Sequence, residues 1–464
     1  MFNLLPDWAE KTPNHPALFT PDKSFTWSEL EAYVRNIRWN LLRQGIEKND
    51  VIALVSRNCP DLVFIYLALL EIGAVPAFVL PQPLVQLERK FRVIECSHVW
   101  WGKDSRKNFS DSELERAALH HEVVIKTNAP KGRVSEHNVS QSEPLASIVF
   151  TSGTTGEPKA VAHTAEQHEA SANGLLEQLK FEQSDCWLLS LPVYHVSGLA
   201  IVWRWLYSGA QMKIGLGEHL STDLEGVTHA SLVATQLKRL LDSGSNLSLK
   251  RVLLGGSHIP TELTQRANQR GIETWVGYGM TEAASTVMAK RANSSGGVGY
   301  LLSGREIKLQ GERIFIGGKT LAEGYYRRGK LTALSADGWF DSKDLGVWCG
   351  EELKVIGRAD NLFISGGENI HCEEIEAVLN QHPSVVQAII LPVENKEFGH
   401  RPVALIQSDI AVEELKLAEW LADKLVKFKI PDAFYGMPEL SNGSIKVSRS
   451  ELKRWYEGEL QLTD

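Results

Sequence analysis

The feature that most constrains this chain is the order in which two kinds of apolar pattern follow one another. Thr26 and Glu29 form a capping box that opens a helix ending near Gly45, and the apolar run Val51 to Val55 follows as a strand. From Leu62 to Leu80 the chain is apolar again, but Glu71, Gly73 and Pro76 interrupt it. That stretch reads as a buried helix followed by a strand rather than as a membrane span. Strands alternating with helices in this way specify an α/β fold. No internal repeat, heptad run or low-complexity tract competes with that reading.

Two glycine-rich stretches interrupt the alternation where strands end. In "FTSGTTGEPKAVAHT" a strand from Leu145 to Phe150 runs into a loop, Ala160 to His163 is extended again, and Thr164 with Gln167 opens a helix. This is not a Walker loop. The glycines are Gly153 and Gly156, Pro158 precedes Lys159, and Ala160 stands where a metal-binding hydroxyl is required. An anion held here is gripped by turn N–H groups and the hydroxyls of Thr151, Ser152, Thr154 and Thr155, not mainly by a helix dipole. Further on, "RVLLGGSHIP" predicts a strand ending at Gly255 and Gly256, then a helix from about Thr261 to Arg270, then a strand ending in "VGYGMTE". A right-handed crossover puts both strand ends on one edge of a parallel sheet, so Gly256, Gly277 and Tyr278 converge there.

The segment "GRADNLFISGGENIHCEEIEAVL" marks a boundary. After it come a helix from about Cys372, strands near Val385 to Leu391 and Val403 to Gln407, and a helix near Val412 to Leu425. The division expected is a large domain over 1–358 and a small one over 359–464, with the hinge near Asp360. A formal charge of -8 and a pI near 6.0 exclude a nucleic-acid binder, because no Lys/Arg surplus exists to neutralise phosphates. The five cysteines are far apart and never in C-x-x-C spacing, which suggests neither a disulfide framework nor a zinc site and points to a reduced, cytoplasmic protein. "MFNLLPDWAEKT" has no basic n-region or cleavage site of a signal peptide. The sequence leaves a homo-oligomer open.

Six motifs, in order, resemble the acyl-adenylate-forming superfamily of acyl-CoA ligases, adenylation domains and luciferases: "FTSGTTGEPK", "LPVYHVSGL", "GYGMTE", "DGWFDSKD", "GRADNLFISGGENI" and "NGSIKVSR". Taken singly each has a plainer reading, such as a Gly/Thr turn, an interior histidine or a surface lysine; their shared order carries the resemblance. It implies a large N-terminal domain of layered α/β subdomains with a small barrel-like β part, and a small mobile C-terminal α+β domain. It also implies ATP, Mg2+ and CoA as partners: a carboxylate attacks the α-phosphorus of ATP, pyrophosphate leaves, and a thiol captures the acyl-adenylate. An already ionised carboxylate needs no general base, so such an enzyme chiefly positions charges.

Residue by residue, the resemblance assigns the departing phosphates to the loop Thr151, Ser152, Gly153, Thr154, Thr155 and Gly156 with Lys159. It assigns the nucleotide to Gly255, Gly256, Ser257, Tyr278 (stacked on adenine), Gly279, Thr281 (at the α-phosphate) and Asp344 with Arg358 (on the ribose), and Mg2+ to Glu282. Lys446 and His195 are the implied catalytic residues, Asp360 the hinge, and Gly366 and Gly367 the lining of the pantetheine tunnel. Two motifs depart from the pattern. Ser342, Lys343 and Asp344 replace the usual Thr-Gly-Asp, and Ser444 and Ile445 separate Gly443 from Lys446, although Lys446 and Arg449 keep the Lys-x-x-Arg spacing.

The acid is suggested by "VWRWLYSGA", in which Arg204 lies between Trp203 and Trp205 in a segment that the resemblance places beside the acyl pocket. One reading is an arginine snorkelling over aromatic surface; the other is a fork for a second carboxylate on the substrate. That segment, with "THASLVATQLKRLL", "EFGHRPVA" and "NGSIKVSR", resembles the o-succinylbenzoate-CoA ligases, whose aryl dicarboxylic substrate has one carboxylate activated and one left over for a cation. His195, Arg204, Ser231 and Gly277 are the implied acid-binding residues. Another aryl- or fatty-acyl-CoA ligase, a stand-alone adenylation enzyme loading a carrier protein, and a non-catalytic nucleotide sensor remain as alternatives.

Overall fold

The computed structural model describes residues 4–107, 109–110, 121–125, 144–151, 157–245, 247–255, 259–293, 297–366, 368–438 and 449–460. Ser152 to Gly156, Gly256, Ser257, Gly367 and Lys446 lie outside them. Among the described residues the first part of the chain builds two large sheets. One has nine strands, in the order Tyr300–Leu301, Ser285–Arg291, Glu273–Met280, Arg251–Gly255, His229–Leu232, Cys186–Leu188, Gln211–Lys213, Pro16–Phe19 and Ser24–Thr26. The other has eight: Lys330–Thr332, Gly324–Arg327, Lys159–Thr164, Leu145–Thr151, Val75–Val79, Val51–Val55, His98–Trp101 and His121–Glu122.

Both faces of each sheet are covered, and the strands show it. Val51–Val55 is buried at every position, with Ile52 and Leu54 in the largest core and Val51, Ala53 and Val55 in a separate one. Period-2 alternation thus sends alternate residues into two different cores, and no polar face is left. The largest core lies between the two sheets and is filled by the helices Trp27–Arg43, Pro60–Ile72, Ala165–Leu176 and Val196–Ser208. Pro60–Ile72 is buried without a break from Leu62 to Leu70, as befits a helix in a central layer. The outer faces carry Leu84–Ile94 on one side and Ala234–Asp242 with Thr261–Gln269 on the other. The result is five layers, helix–sheet–helix–sheet–helix. Among the described residues no helix is long and apolar enough to cross a membrane.

The helix starts follow their caps. Thr26 accepts from the N–H of Glu29 while Glu29 accepts from Thr26, and Thr164 and Gln167 repeat the arrangement before Ala165–Leu176. A third, antiparallel sheet of four strands runs from Arg305 to Arg358. Beyond the short turn Ala359–Asn361, the strands Leu362–Ser365, Glu368–His371, Val385–Asn395, Gly399–Ser408 and Ala433–Gly436 form a sheet of their own, with the helix Cys372–Leu379 against it.

The single helix expected near Val412 to Leu425 is corrected. A 3-10 turn Val412–Leu415 and a helix Leu417–Ala422 are separated by Lys416, whose φ of 47° breaks the right-handed spiral. The apolar spacing survives the break, because Val412, Leu415, Leu417 and Leu421 all reach one core.

Candidate active site

The parallel pair Arg251–Gly255 and Glu273–Met280 ends with Gly255 opposite Gly277, which brings Gly255, Gly277 and Tyr278 to one sheet edge. Gly279 follows at a bulge against Thr286 and Ser285. A Cβ on Gly279 would lie 1.7 Å from the Ser285 carbonyl oxygen, so no other residue fits. The chain then turns through Thr281–Ala283, and Ala284 (φ 49°) and Ser285 (φ 94°) reverse it into the antiparallel strand Ser285–Arg291.

Three of the expected nucleotide residues, Tyr278, Asp344 and Arg358, form one hydrogen-bonded chain with the expected hinge residue Asp360. The Tyr278 hydroxyl donates to Asp344 Oδ2 at 2.6 Å, and Arg358 Nη1 donates to Asp344 Oδ1 at 2.9 Å. Arg358 Nε reaches Asp360 Oδ1 at 2.9 Å. Burial, and then the Asp344 charge, hold the Tyr278 hydroxyl well above its usual range, so it stays a donor. The two Asp344 oxygens are thus held by two different donors, a tyrosine hydroxyl and a guanidinium. Burial alone would raise the Asp360 carboxyl, but the hydrogen bond and charge of Arg358, with smaller help from its own backbone N–H and Lys343, together lower its pKa.

The altered Ser-Lys-Asp motif has a structural account. Lys343 adopts φ 62°, the left-handed conformation for which glycine is the usual choice, while Ser342 Oγ donates to the Ile314 carbonyl at 2.7 Å and accepts from the Asp344 N–H at 3.0 Å. The turn is kept without the glycine.

A second cluster gathers where the phosphate loop leaves its sheet. Thr151 and Lys159 face each other across the strand pair that brackets the loop. Lys159 Nζ lies 5.0 Å from the Tyr325 ring centroid, and the Tyr325 hydroxyl donates to Glu282 Oε1 at 3.1 Å. Among the described residues no group of three or more His, Cys, Asp or Glu could hold a metal. Glu282 offers a single carboxylate, which suits Mg2+, an ion that characteristically takes one or two carboxylates and completes its shell with substrate phosphates and water.

The residues expected to bind the acid include His195 and Arg204, at the start of and within the helix Val196–Ser208. Asn58 donates to the carbonyls of Leu189 and Leu191 and accepts from the Val193 N–H, which fixes the loop before His195. His195 is the helix N-cap. Two turns on, Arg204 is only 2% exposed. Nη1 reaches Ser231 Oγ at 3.5 Å and Nη2 reaches Thr286 Oγ1 at 3.4 Å, both at the long limit of a hydrogen bond, and among the described residues Nε has no hydrogen-bond partner. Its guanidinium lies 5.2 Å from the Trp187 ring centroid. Among the described residues no carboxylate pairs with it. Burial, and secondarily the charge of Arg305, push Arg204 down to about 9. Its neighbours are anchored elsewhere, Trp203 Nε1 on the Tyr66 hydroxyl and Trp205 Nε1 on the Ala17 carbonyl.

Sequence reading did not single out Tyr325 or Thr286. Their partners lie 43 and 82 residues away, and no local pattern marks them. In the small sheet Gly366 takes φ 58° beside the Phe398 ring. Arg449 is held by Glu373, Glu376 and the Ile390 carbonyl, so it anchors its segment rather than standing free for a phosphate.

A model of the AMP-binding enzyme family matches residues 5–326, and one of the AMP-binding enzyme C-terminal domain matches residues 374–443. The chain belongs to the AMP-binding enzyme family. Within that family it is 42% identical to the 2-succinylbenzoate–CoA ligase of Escherichia coli strain K12, over 97% of this chain and 97% of that one. An E. coli MenE variant with bound OSB-AMS superposes with a TM-score of 0.88 at 38% identity, covering 98% of each chain. The Bacillus subtilis o-succinylbenzoate coenzyme A synthetase with ATP and magnesium ion superposes with a TM-score of 0.85 at 26% identity, covering 97% of this chain and 99% of that one.

The turn at Lys343 gives a direct test. Lys343→Gly removes a left-handed cost of about 1–2 kcal/mol and adds back about 0.5–1 kcal/mol of chain entropy. The denaturation midpoint should therefore rise slightly, with adenylation unchanged. A lowered midpoint would show that the lysine side chain, not the backbone turn, is what this position requires.

Proposed function

We propose that this AMP-binding enzyme is an ATP-dependent o-succinylbenzoate–CoA ligase: it joins the succinyl carboxylate of the acid to AMP with release of pyrophosphate, then passes the acyl group to the thiol of CoA with release of AMP. The observation that carries the choice of acid is Arg204. A guanidinium taken out of water costs several kcal/mol unless an anion and hydrogen bonds compensate it, and among the described residues it meets two hydroxyls and a tryptophan face but no carboxylate. The aryl carboxylate supplies the missing anion. A long aliphatic tail would leave the cation stranded, which disfavours a fatty-acyl substrate. The 2-succinylbenzoate–CoA ligases among its relatives support the same choice.

In this reading His195 and Gly277 border the acid, and Ser231 orients Arg204. Tyr278 packs on the adenine while Asp344 and Arg358 take the ribose. Thr281 and Lys446 face the α-phosphate; Lys159 and the hydroxyls and N–H groups of Thr151 to Gly156 hold the departing phosphates. Gly255 and Gly256 let the nucleotide approach the backbone, and Ser257 and Gly279 lie along the same nucleotide site. Glu282 holds Mg2+, which when bound neutralises phosphate charge. A rotation of residues 359–464 about Asp360 would then bring Gly366 and Gly367 to the acyl group for attack by the thiol. All five cysteines are free, in keeping with action in the reducing cytoplasm.

Two variants test the assignment. Lys446→Ala should slow adenylation by about two to three orders of magnitude, the scale for one transition-state charge contact. It should spare thioester formation from supplied acyl-adenylate; equal loss in both half-reactions would remove Lys446 from the α-phosphate. Arg204→Gln should lower kcat/KM for o-succinylbenzoate by about tenfold to a few hundredfold, the scale for losing charge-assisted hydrogen bonds. The loss should shrink sharply for an analogue lacking the aryl carboxylate. If Arg204→Gln loses equally on both acids, the arginine is packing and the substrate is another acid.

A further inference from the structure

Arg204 is not the only buried cation on this side of the molecule. Arg305, at the start of the strand Arg305–Gln310, is 4% exposed and spends all its donors on neutral oxygens. Nε donates to the Thr286 carbonyl at 3.0 Å, Nη1 to the carbonyls of Ala170 and Ser303 at 3.1 and 2.7 Å, and Nη2 to the Ser171 carbonyl and hydroxyl at 2.8 and 3.1 Å. No carboxylate pairs with it among the described residues. Glu177 attracts it at longer range, while burial pushes it down to about 10. The space for the fork is made by Gly174, where a Cβ would lie 2.0 Å from Arg305 Nη1.

What Arg305 holds is more telling than how it is held. Thr286 is shared by the two guanidiniums: its hydroxyl accepts from Arg204 and its carbonyl from Arg305. Ser171, the other residue gripped by Arg305, donates its hydroxyl to the Ala284 carbonyl at 2.5 Å. Arg305 therefore pins both ends of the left-handed turn at Ala284 and Ser285. On one side of that turn stand Thr281 and Glu282, read above as phosphate and Mg2+ residues; on the other stands Thr286, bonded to Arg204.

We infer that Arg305 is a positioning residue that fixes Thr286 and adds a second positive charge behind Arg204, and so sets how strongly the pocket prefers an acid bearing a second carboxylate. This rests on the reading of Arg204 as the partner of the aryl carboxylate. In a low-dielectric interior a second cation raises the potential at the pocket even without touching the ligand. A misplaced Thr286 in turn leaves Arg204 less well aimed. An acid with no aryl carboxylate gains from neither effect.

The test uses two independent perturbations of the full-length enzyme. Arg305→Lys keeps the charge but cannot serve Thr286 and Ser171 together. Gly174→Ala leaves Arg305 intact and favours its helix, yet drives a methyl into the guanidinium. For both, kcat/KM is measured with o-succinylbenzoate and with the analogue lacking the aryl carboxylate, beside Arg204→Gln. Each should lower the ratio of the two values by about two- to thirtyfold, the range for a mutation along a coupling network. If both variants lose equally on the two acids while Arg204→Gln remains selective, Arg305 only holds the fold and the inference is overturned with the pocket reading intact. If Arg204→Gln is itself unselective, the pocket reading fails and the inference with it.

Discussion

The interaction on which the site turns is one that the described protein does not complete. Arg204 is carried into the interior by a helix whose other bulky residues are satisfied, Trp203 by Tyr66 and Trp205 by Ala17, so the helix cannot roll to return the charge to water. Unlike Arg305, whose donors are all taken up by neutral oxygens, Arg204 bears a desolvation cost that two long hydrogen bonds do not offset. Ser231 and Thr286 meet the guanidinium at the long limit of a hydrogen bond, a geometry that orients it without satisfying it. In the reading proposed above, a pocket formed around this cation selects for charge before it selects for shape.

The layered fold puts the other half of the chemistry beside that pocket. The strand pair ending at Gly255 and Gly277, the strand pair around Thr151 and Lys159, and the hairpin carrying Asp344 and Arg358 come from three different sheets. They are joined by side-chain bonds between sheets: Tyr278 to Asp344, Tyr325 to Glu282, Arg305 to Thr286. Such a site is held in register by polar contacts across sheet boundaries, while the apolar cores beneath set only the approximate placement.

Much of this was legible in the sequence wherever the signal is local. The capping boxes at Thr26 and Thr164 fix where two helices begin, and the wholly apolar run Val51 to Val55 identifies a strand covered on both faces. The six motifs in order point to the family. What sequence could not show is contact between distant segments. Thr286, Tyr325 and Arg305 find their partners across 82, 43 and 134 residues respectively, and a threonine, a tyrosine or an arginine carries no mark of that. Backbone conformation also hid. Lys343 and Lys416 both take left-handed angles that their side chains do not advertise; in the first case a turn survives without glycine, and in the second a helix is cut in two.

We propose that Arg204, buried without a carboxylate partner among the described residues, chooses the substrate. That choice is tested most directly by measuring CoA-dependent AMP formation by the unmodified enzyme across aryl acids with and without a second carboxylate, at equal chain length and ring position. The account predicts strong turnover with o-succinylbenzoate and a steep fall when the aryl carboxylate is removed or esterified. Comparable turnover of the mono- and dicarboxylic acids would contradict it.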